Sequence, residues 1–181
     1  MAVGASIARP ITERHLGWEC VVMEQKIRKQ IRLKNYDYAS NGAYFITICT
    51  EKRRNIFGVV KTNADYSAFV NLSHAGRVVE RAILEIPLHY PLVYIDHYVV
   101  MPNHVHILLR IDTDCGRAMH APTASRVIQQ MKGIVTKQLG GSIWQKSFYD
   151  EIVRSEQDYL AYWNYIEGNP SKWAEDKYFS E

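Results

Sequence analysis

The segment 93–111 constrains the fold more than any other part of the chain. Two runs of apolar and β-branched residues, separated by only a Pro-Asn pair, predict two strands joined by a tight turn. Because side chains alternate along a strand, His104 and His106 share one face, whereas Val105 and Ile107 lie on the opposite face. The second strand therefore has one face for a core and one face that carries two imidazoles.

Two neighbouring imidazoles on a rigid strand could form half of a metal site. The spacing of His104 and His106 fixes neither the metal nor the reaction. A His-x-His pair also arises by chance in many strands, so a purely structural role is the alternative to be weighed against a metal site.

The order of the predicted elements indicates the fold class. Strand and helix patterns follow one another as strand, helix, strand, strand, helix, strand, with a small hairpin after the first strand and an extra helix that ends near Pro170. The predicted elements span residues 43–50, 57–61, 66–70, 73–86, 93–101, 104–111, 123–139, 148–154 and 155–170. This order predicts a ferredoxin-like split βαβ sandwich of the α+β class, with an antiparallel sheet.

Composition favours a protein of the reducing cytoplasm. The 181 residues include 3 cysteines, which are widely separated and form no CxxC pair, so neither a disulfide framework nor a thiolate zinc site is expected. No apolar stretch approaches the roughly 20 residues that cross a bilayer. We therefore expect no membrane partner.

Basic residues are concentrated near the N-terminus, although the net charge is only +3. Aromatic side chains that could stack on unpaired bases follow this basic arm, and two further arginines come after the first strand. The arm predicts contact with a polyanion at one place, and the alternative is a solvated basic segment without a partner. The candidate DNA-binding residues are Lys26, Arg28, Lys29, Arg32, Lys34, Tyr36, Tyr38, Arg53 and Arg54.

Tyr165 and Asn169 are a candidate pair on the last helix. They are four residues apart, so they lie on one helix face about 6 Å from each other. Tyr165 could attack a phosphodiester as a nucleophile, and Asn169 could be an oxygen ligand. The chain has 12 tyrosines, so spacing alone favours an ordinary core or surface role for Tyr165.

Four runs of the sequence, taken together, resemble a known family. In chain order they are IRLKNYDYASNGAYFITICT, YVVMPNHVHILL, IWQKSFYDEIVR and NYIEGNPSKW. The chain is similar to the REP-associated tyrosine transposases, a branch of the single-tyrosine HUH transposases, over about residues 27 to 173. One position departs from the pattern, because Asp150-Glu151 stands where many relatives have an acidic residue followed by His.

The resemblance implies a role for each candidate residue. His104 and His106 would bind a divalent metal, Mg or Mn by the mixed nitrogen and oxygen ligands, with Asn169 as the third ligand and Tyr165 as the catalytic nucleophile. The implied organisation is an extension (1–25), a basic DNA-contacting arm (26–42), a transposase domain (43–175) and a tail (176–181). The implied partner is single-stranded or hairpin DNA, and a homodimer stays open.

The leading hypothesis is a metal-dependent enzyme that cleaves and rejoins single-stranded DNA beside hairpin-forming repeats. Its intermediate would be a 5′-phosphotyrosine. Two alternatives remain. One is a non-catalytic module of the same fold that binds hairpin DNA or RNA, and the other is a metallohydrolase that acts through activated water without a covalent intermediate.

Overall fold

The computed structural model of the protein describes residues 42–112 and 122–175. Short 3-10 turns follow the first strand at Glu51–Arg53 and the last helix at Trp173–Glu175. The strands are β1 (Gly42–Cys49), β2 (Gly58–Thr62), β3 (Ala68–Leu72), β4 (Val93–Val100), β5 (His104–Ile111) and β6 (Tyr149–Val153). The helices are α1 (His74–Leu84), α2 (Ile86–His89), α3 (Ala124–Gln138) and α4 (Glu156–Lys172).

The main sheet has four strands in the order β4-β5-β1-β6, and every neighbouring pair is antiparallel. β2 and β3 form a separate two-stranded hairpin between β1 and α1. This strand order, with a helix after β1 and another after β5, is that of a split βαβ unit. The predicted ferredoxin-like fold is therefore confirmed, together with the extra C-terminal helix.

The two faces of the sheet pack against different helices. On one face, alternate side chains of the central strands form the main core with α1 and α3. On the other face, Phe45 of β1 and Leu108 of β5 pack against Tyr162 and Ile166 of α4. The main core includes Tyr44, Ile46, Ile48, Val105, Ile107, Leu109, Val79, Ile83, Val127, Ile128 and Met131. The sheet thus separates a large apolar layer from the side that carries the histidines.

Three of the helices begin at a hydroxyl side chain that caps them. Ser73, Thr123 and Ser155 each accept a hydrogen bond from the backbone N–H three residues ahead, at the starts of α1, α3 and α4. Such a cap satisfies one of the backbone donors that a helix start leaves without a partner. The sequence predicted these three helix starts within a residue or two.

Two helix ends differ from the prediction. α4 continues through Pro170 to Lys172, where the sequence predicted an end near Pro170. A proline inside a helix loses one hydrogen bond, but the last turn is held because Trp173, which follows it, is buried. α1 ends at Leu84, and Pro87 lies in the first turn of the short α2. A backbone N–H in the first turn has no partner within the helix, so the proline costs no helical hydrogen bond there.

Across the described ranges, none of the helices has both the length and the apolar character to span a bilayer.

Candidate active site

The two histidines project from β5 toward α4. His104 pairs with Cys49 across the sheet and His106 pairs with Thr47, and both imidazoles are buried, at 6% and 5% exposed. Their ring centroids are 4.7 Å apart, with the ring planes at 69°. The strand alternation that places Val105 in the main core therefore brings both imidazoles together on the opposite face.

Both rings are held by a hydrogen bond at Nδ1. Nδ1 of His104 lies 2.7 Å from Oδ1 of Asn103, and Nδ1 of His106 lies 2.8 Å from Oγ1 of Thr47. Hydrogen bonds of this kind fix the orientation of an imidazole and leave Nε2 as the nitrogen that can bind a metal.

His106 is held in its neutral form. Burial, and next the neighbouring His104, keep the pKa of His106 well below its usual range. Burial disfavours the charged imidazolium, and a second imidazole nearby adds to the cost. A neutral imidazole is the form that coordinates a metal, so the burial of His106 suits that role.

Tyr165 lies beside the histidine pair. Its ring centroid is 5.1 Å from that of His106, and the two rings meet edge to face at 68°. Phe45 connects this pair to the helix, because its ring stacks on His106 at 5.1 Å and on Tyr162 at 4.4 Å and meets Tyr165 at 5.8 Å. α4 packs against the sheet of its own chain, so one chain brings the tyrosine and the histidines together.

Carboxylates lie beside three other tyrosines on this side of the sheet. Tyr149 donates a hydrogen bond to Glu151 at 2.8 Å, and Tyr162 also bonds to Glu151. Burial, followed by Glu151, raises the pKa of Tyr149 to about 12 and raises the pKa of Tyr162 as well. Burial and then Asp96 raise the pKa of Tyr159. These three hydroxyls are thus poorly suited to act as nucleophiles.

Asn169 occupies the same stripe of α4 as Tyr165. It is buried, at 8% exposed, and lies one turn after Tyr165 and one turn before Trp173. Tyr165 contacts His106, and the Trp173 ring lies 6.2 Å from that of His104. The stripe therefore runs along the two histidines, and Asn169 lies on the helix between the residues that make the two contacts.

The donors near the histidines fit a site with mixed ligands. Within residues 42–112 and 122–175, no group of three His, Cys, Asp or Glu side chains is placed to hold a metal ion. Within these ranges, a further protein ligand for a metal bound by His104 and His106 would be an amide oxygen, and Asn169 is the buried amide on the facing helix. Such a donor set is compatible with manganese or magnesium.

The predicted DNA-binding residues are only partly within the described ranges. Lys26, Arg28, Lys29, Arg32, Lys34, Tyr36 and Tyr38 lie outside them, as do the expected extension and tail. Arg53 and Arg54 lie in and directly after the 3-10 turn that follows β1. Cys49 at the end of β1 pairs with His104. The chain segment that carries these arginines therefore leaves the sheet at the end where His104 lies.

Sequence reasoning missed the residues that surround the histidines. Thr47 and Phe45 could be found only from the register of β1 against β5, which no local pattern gives. Trp173 was missed because the helix was expected to end before it. Asn103 was read only as a turn residue, although its position directly before His104 was a usable signal.

Comparison with known proteins identifies similar chains. The sequence model of a transposase family described as IS200-like matches residues 38–169. A Haemophilus influenzae protein of unassigned function is 32% identical over 172 residues, which cover 84% of this chain and 93% of that protein. A second protein of that organism, named as a candidate REP-associated tyrosine transposase, is 23% identical over 151 residues, or 77% of each chain.

A solved structure shows the same fold. It is a REP-associated tyrosine transposase bound to a REP hairpin, and it matches with a TM-score of 0.58 at 22% sequence identity. The match covers 78% of this chain and 73% of that one. At this identity the likeness establishes the architecture of the sheet and helices.

Proposed function

Because the chain belongs to the IS200-like transposase family, we propose that it cleaves and rejoins single-stranded DNA beside a hairpin through a 5′-phosphotyrosine on Tyr165. The family resemblance drawn from the sequence motifs is confirmed at this level. The observation that carries the proposal is the position of Tyr165, whose ring lies 5.1 Å from the ring of His106.

Tyr165 would act by direct attack on a backbone phosphate. Its oxygen forms a bond to phosphorus, the bond from phosphorus to the preceding 3′ oxygen breaks, and that oxygen takes up a proton while the tyrosine proton is lost. The products are a 5′ phosphate on Tyr165 and a free 3′ hydroxyl. Attack by a 3′ hydroxyl on the phosphotyrosine reverses the step and rejoins a strand.

His104, His106 and Asn169 would hold a divalent metal, with Mn²⁺ and Mg²⁺ as the proposed ions. Such a metal supplies polarisation of the scissile phosphate and neutralisation of its charge. The buried, neutral His106 and the two Nδ1 hydrogen bonds support this ligand set. Phe45, which stacks on His106, and Tyr162, which stacks on Phe45, would shield one side of the site from water because both are buried.

Hairpin DNA is the proposed partner. The similar solved structure is that of a transposase bound to a REP hairpin, and this chain shares its fold. The basic arm, including Lys26, Arg28 and Lys29, would contact phosphates at the foot of the hairpin and fix the register of the strand. Arg53 and Arg54 would extend this basic surface at the His104 end of the sheet.

The proposal is tested by trapping the covalent intermediate. Hairpin oligonucleotides with single-stranded flanks, labelled at the 3′ end because the downstream fragment is the one that stays on Tyr165, are incubated with the protein and Mn²⁺. Denaturing gels then show whether the label migrates with the protein. We expect an adduct with the wild type and with Tyr162→Phe, and none with Tyr165→Phe. Tyr162 is the matched control because it lies one turn earlier on α4 and its hydroxyl is bonded to Glu151.

The other outcomes discriminate between the hypotheses. An adduct of normal yield in Tyr165→Phe would refute the assignment of the nucleophile. Cleavage without any adduct in the wild type would favour hydrolysis by activated water. Hairpin binding without cleavage, across several metals and oligonucleotides, would favour a non-catalytic binding module.

A further inference from the structure

We propose that Asn103 is a positioning residue that keeps the proton of the His104 imidazole on Nδ1 and thereby presents Nε2 to the metal. The inference rests on the proposed function, because it takes His104 as a metal ligand. It assigns a task to a turn residue that precedes the histidine directly in the sequence.

The backbone of Asn103 is fixed by Thr50, the residue that directly follows β1. Its carbonyl oxygen accepts two hydrogen bonds from Thr50, one from the backbone N–H at 2.9 Å and one from Oγ1 at 3.1 Å. The preceding carbonyl, that of Pro102, accepts a bond of 2.9 Å from the N–H of Phe57. The turn between β4 and β5 is therefore held by residues outside both strands. The backbone that carries the Asn103 side chain is thus constrained in position.

The side chain of Asn103 is buried against His104. It is 1% exposed, and its Oδ1 lies 2.7 Å from Nδ1 of His104. An amide oxygen only accepts hydrogen bonds, so Nδ1 must be the donor in this contact. In a neutral imidazole with the proton on Nδ1, the lone pair is on Nε2, which is the form that can bind a metal there.

Asn103 differs in this respect from the partner of the other histidine. The hydroxyl of Thr47, 2.8 Å from Nδ1 of His106, can either donate or accept a hydrogen bond. Thr47 therefore orients the ring of His106 without choosing its tautomer. Of the two Nδ1 partners, Asn103 is therefore the one that determines the tautomer of its histidine.

The amide nitrogen of Asn103 supports the role proposed for the amide oxygen. Nδ2 is buried and has no hydrogen-bond partner among the residues that the structure describes. Leaving a buried donor without a partner destabilises the fold, and an apolar side chain of similar size would avoid that cost. An asparagine at this position is therefore explained by what its oxygen does for His104.

The first test measures the tautomer directly in metal-free protein. Long-range ¹H–¹⁵N spectra of histidine-labelled protein, at about pH 8 where ordinary imidazoles are neutral, show which nitrogen carries the proton. We expect His104 to carry it on Nδ1 in the wild type and in Asn103→Asp, which keeps an accepting oxygen. We expect Asn103→Leu to shift His104 toward the Nε2–H form.

The second test measures Mn²⁺ affinity from the free-ion signal in electron paramagnetic resonance. Loss of a hydrogen-bond partner behind a metal ligand lowers the metal affinity about 10–100-fold. The Mn²⁺ affinity of Asn103→Leu should therefore be lower than that of the wild type by that factor. Asn103→Asp should bind Mn²⁺ at least as tightly as the wild type. Thr47→Val is the control for the tautomer spectra only, because it removes the Nδ1 partner of His106 and should leave the tautomer of His104 unchanged.

A wild-type His104 with its proton on Nε2 would overturn the proposal, and so would Asn103→Leu with unchanged tautomer and affinity. Where Asn103→Leu fails to fold, Asn103→Ala, which also lacks the accepting oxygen, replaces it in both tests. A wild type with the Nδ1 proton that binds no Mn²⁺ would instead refute the metal site of the proposed function.

Discussion

The ring of His106 on β5 and the ring of Tyr165 on α4 meet edge to face, with their centroids 5.1 Å apart. The contact joins one of the two central strands of the sheet to a helix from the C-terminal end of the described chain. It is made on the face of the sheet away from the main core, where Phe45 packs against both rings. The geometry therefore places the candidate nucleophile and a candidate metal ligand side by side within one chain.

Replacing either histidine should separate cleavage from DNA binding. We expect His104→Ala and His106→Ala to abolish strand cleavage while most of the affinity for a hairpin oligonucleotide remains, because the basic arm is untouched. Cleavage is measured on denaturing gels, and affinity is measured by fluorescence anisotropy with Mn²⁺ present. A histidine variant that still cleaves at the wild-type rate would contradict the metal site.

The basic arm should control affinity and its dependence on salt. Neutralising Lys26, Arg28 and Lys29 to Gln should weaken hairpin binding and flatten the plot of log affinity against log salt. Each lost phosphate contact on a single strand reduces that slope by about 0.7. The same three-residue change made at Lys61, Arg77 and Arg81, which lie outside the arm, is the control. Equal effects of both changes would argue against a specific role for the arm.

Gly76 in α1 should be indispensable for stability. A Cβ at this position would lie 2.0 Å from the carbonyl oxygen of Phe57, a backbone atom that cannot move aside cheaply. We expect Gly76→Ala to lower the free energy of unfolding by about 3 kcal/mol, measured by urea denaturation.

The matched control is Gly133 in α3, which is exposed and has no atom within 4 Å of an added Cβ. Gly133→Ala should raise the free energy of unfolding by about 0.5–1 kcal/mol, because alanine loses less backbone entropy in a helix. If both substitutions changed stability in the same direction, the close approach of the Phe57 carbonyl would not explain why position 76 is a glycine.

The stack of His97 on Trp163 should make stability depend on pH. The rings lie 4.3 Å apart, and burial lowers the pKa of His97, while the charge of Glu167 opposes the shift and is the smaller effect. The unfolded chain then binds more protons than the folded chain as the pH falls below about 6.5. The stabilising contribution is therefore present above that pH and is lost progressively below it.

The measurement compares urea unfolding of the wild type and His97→Phe between about pH 5 and pH 8, with a chelator present so that no metal contributes. Phenylalanine keeps a ring against Trp163 and removes the buried Nε2, which has no partner in the described part of the chain. The variant should lose less stability toward low pH than the wild type. Parallel curves would show that His97 does not titrate differently in the two states.

Local patterns were enough to predict the strands and helices. The alternation in β5 predicted which side chains lie on each face, and the capping serines and threonine marked where helices begin. Such features are encoded within a few neighbouring residues, so one sequence displays them. The order of these elements then led to the ferredoxin-like fold.

Contacts between distant parts of the chain could not be predicted in this way. The pairing of Thr47 with His106 depends on the register of β1 against β5, and the burial of Trp173 depends on a helix that continues past Pro170. A local rule ends the helix at the proline, whereas the packing of Trp173 near His104 outweighs that rule. The surroundings of the histidines thus follow from tertiary packing.

The difference between the two faces of β5 has a consequence for copies of this chain that lose the proposed catalytic activity. Val105, Ile107 and Leu109 hold the strand in the main core, whereas His104 and His106 lie on the other side. A copy with altered histidines should therefore remain folded and keep its basic arm. Under the proposed function, such a copy would be an inert competitor that occupies the hairpins which an intact copy needs.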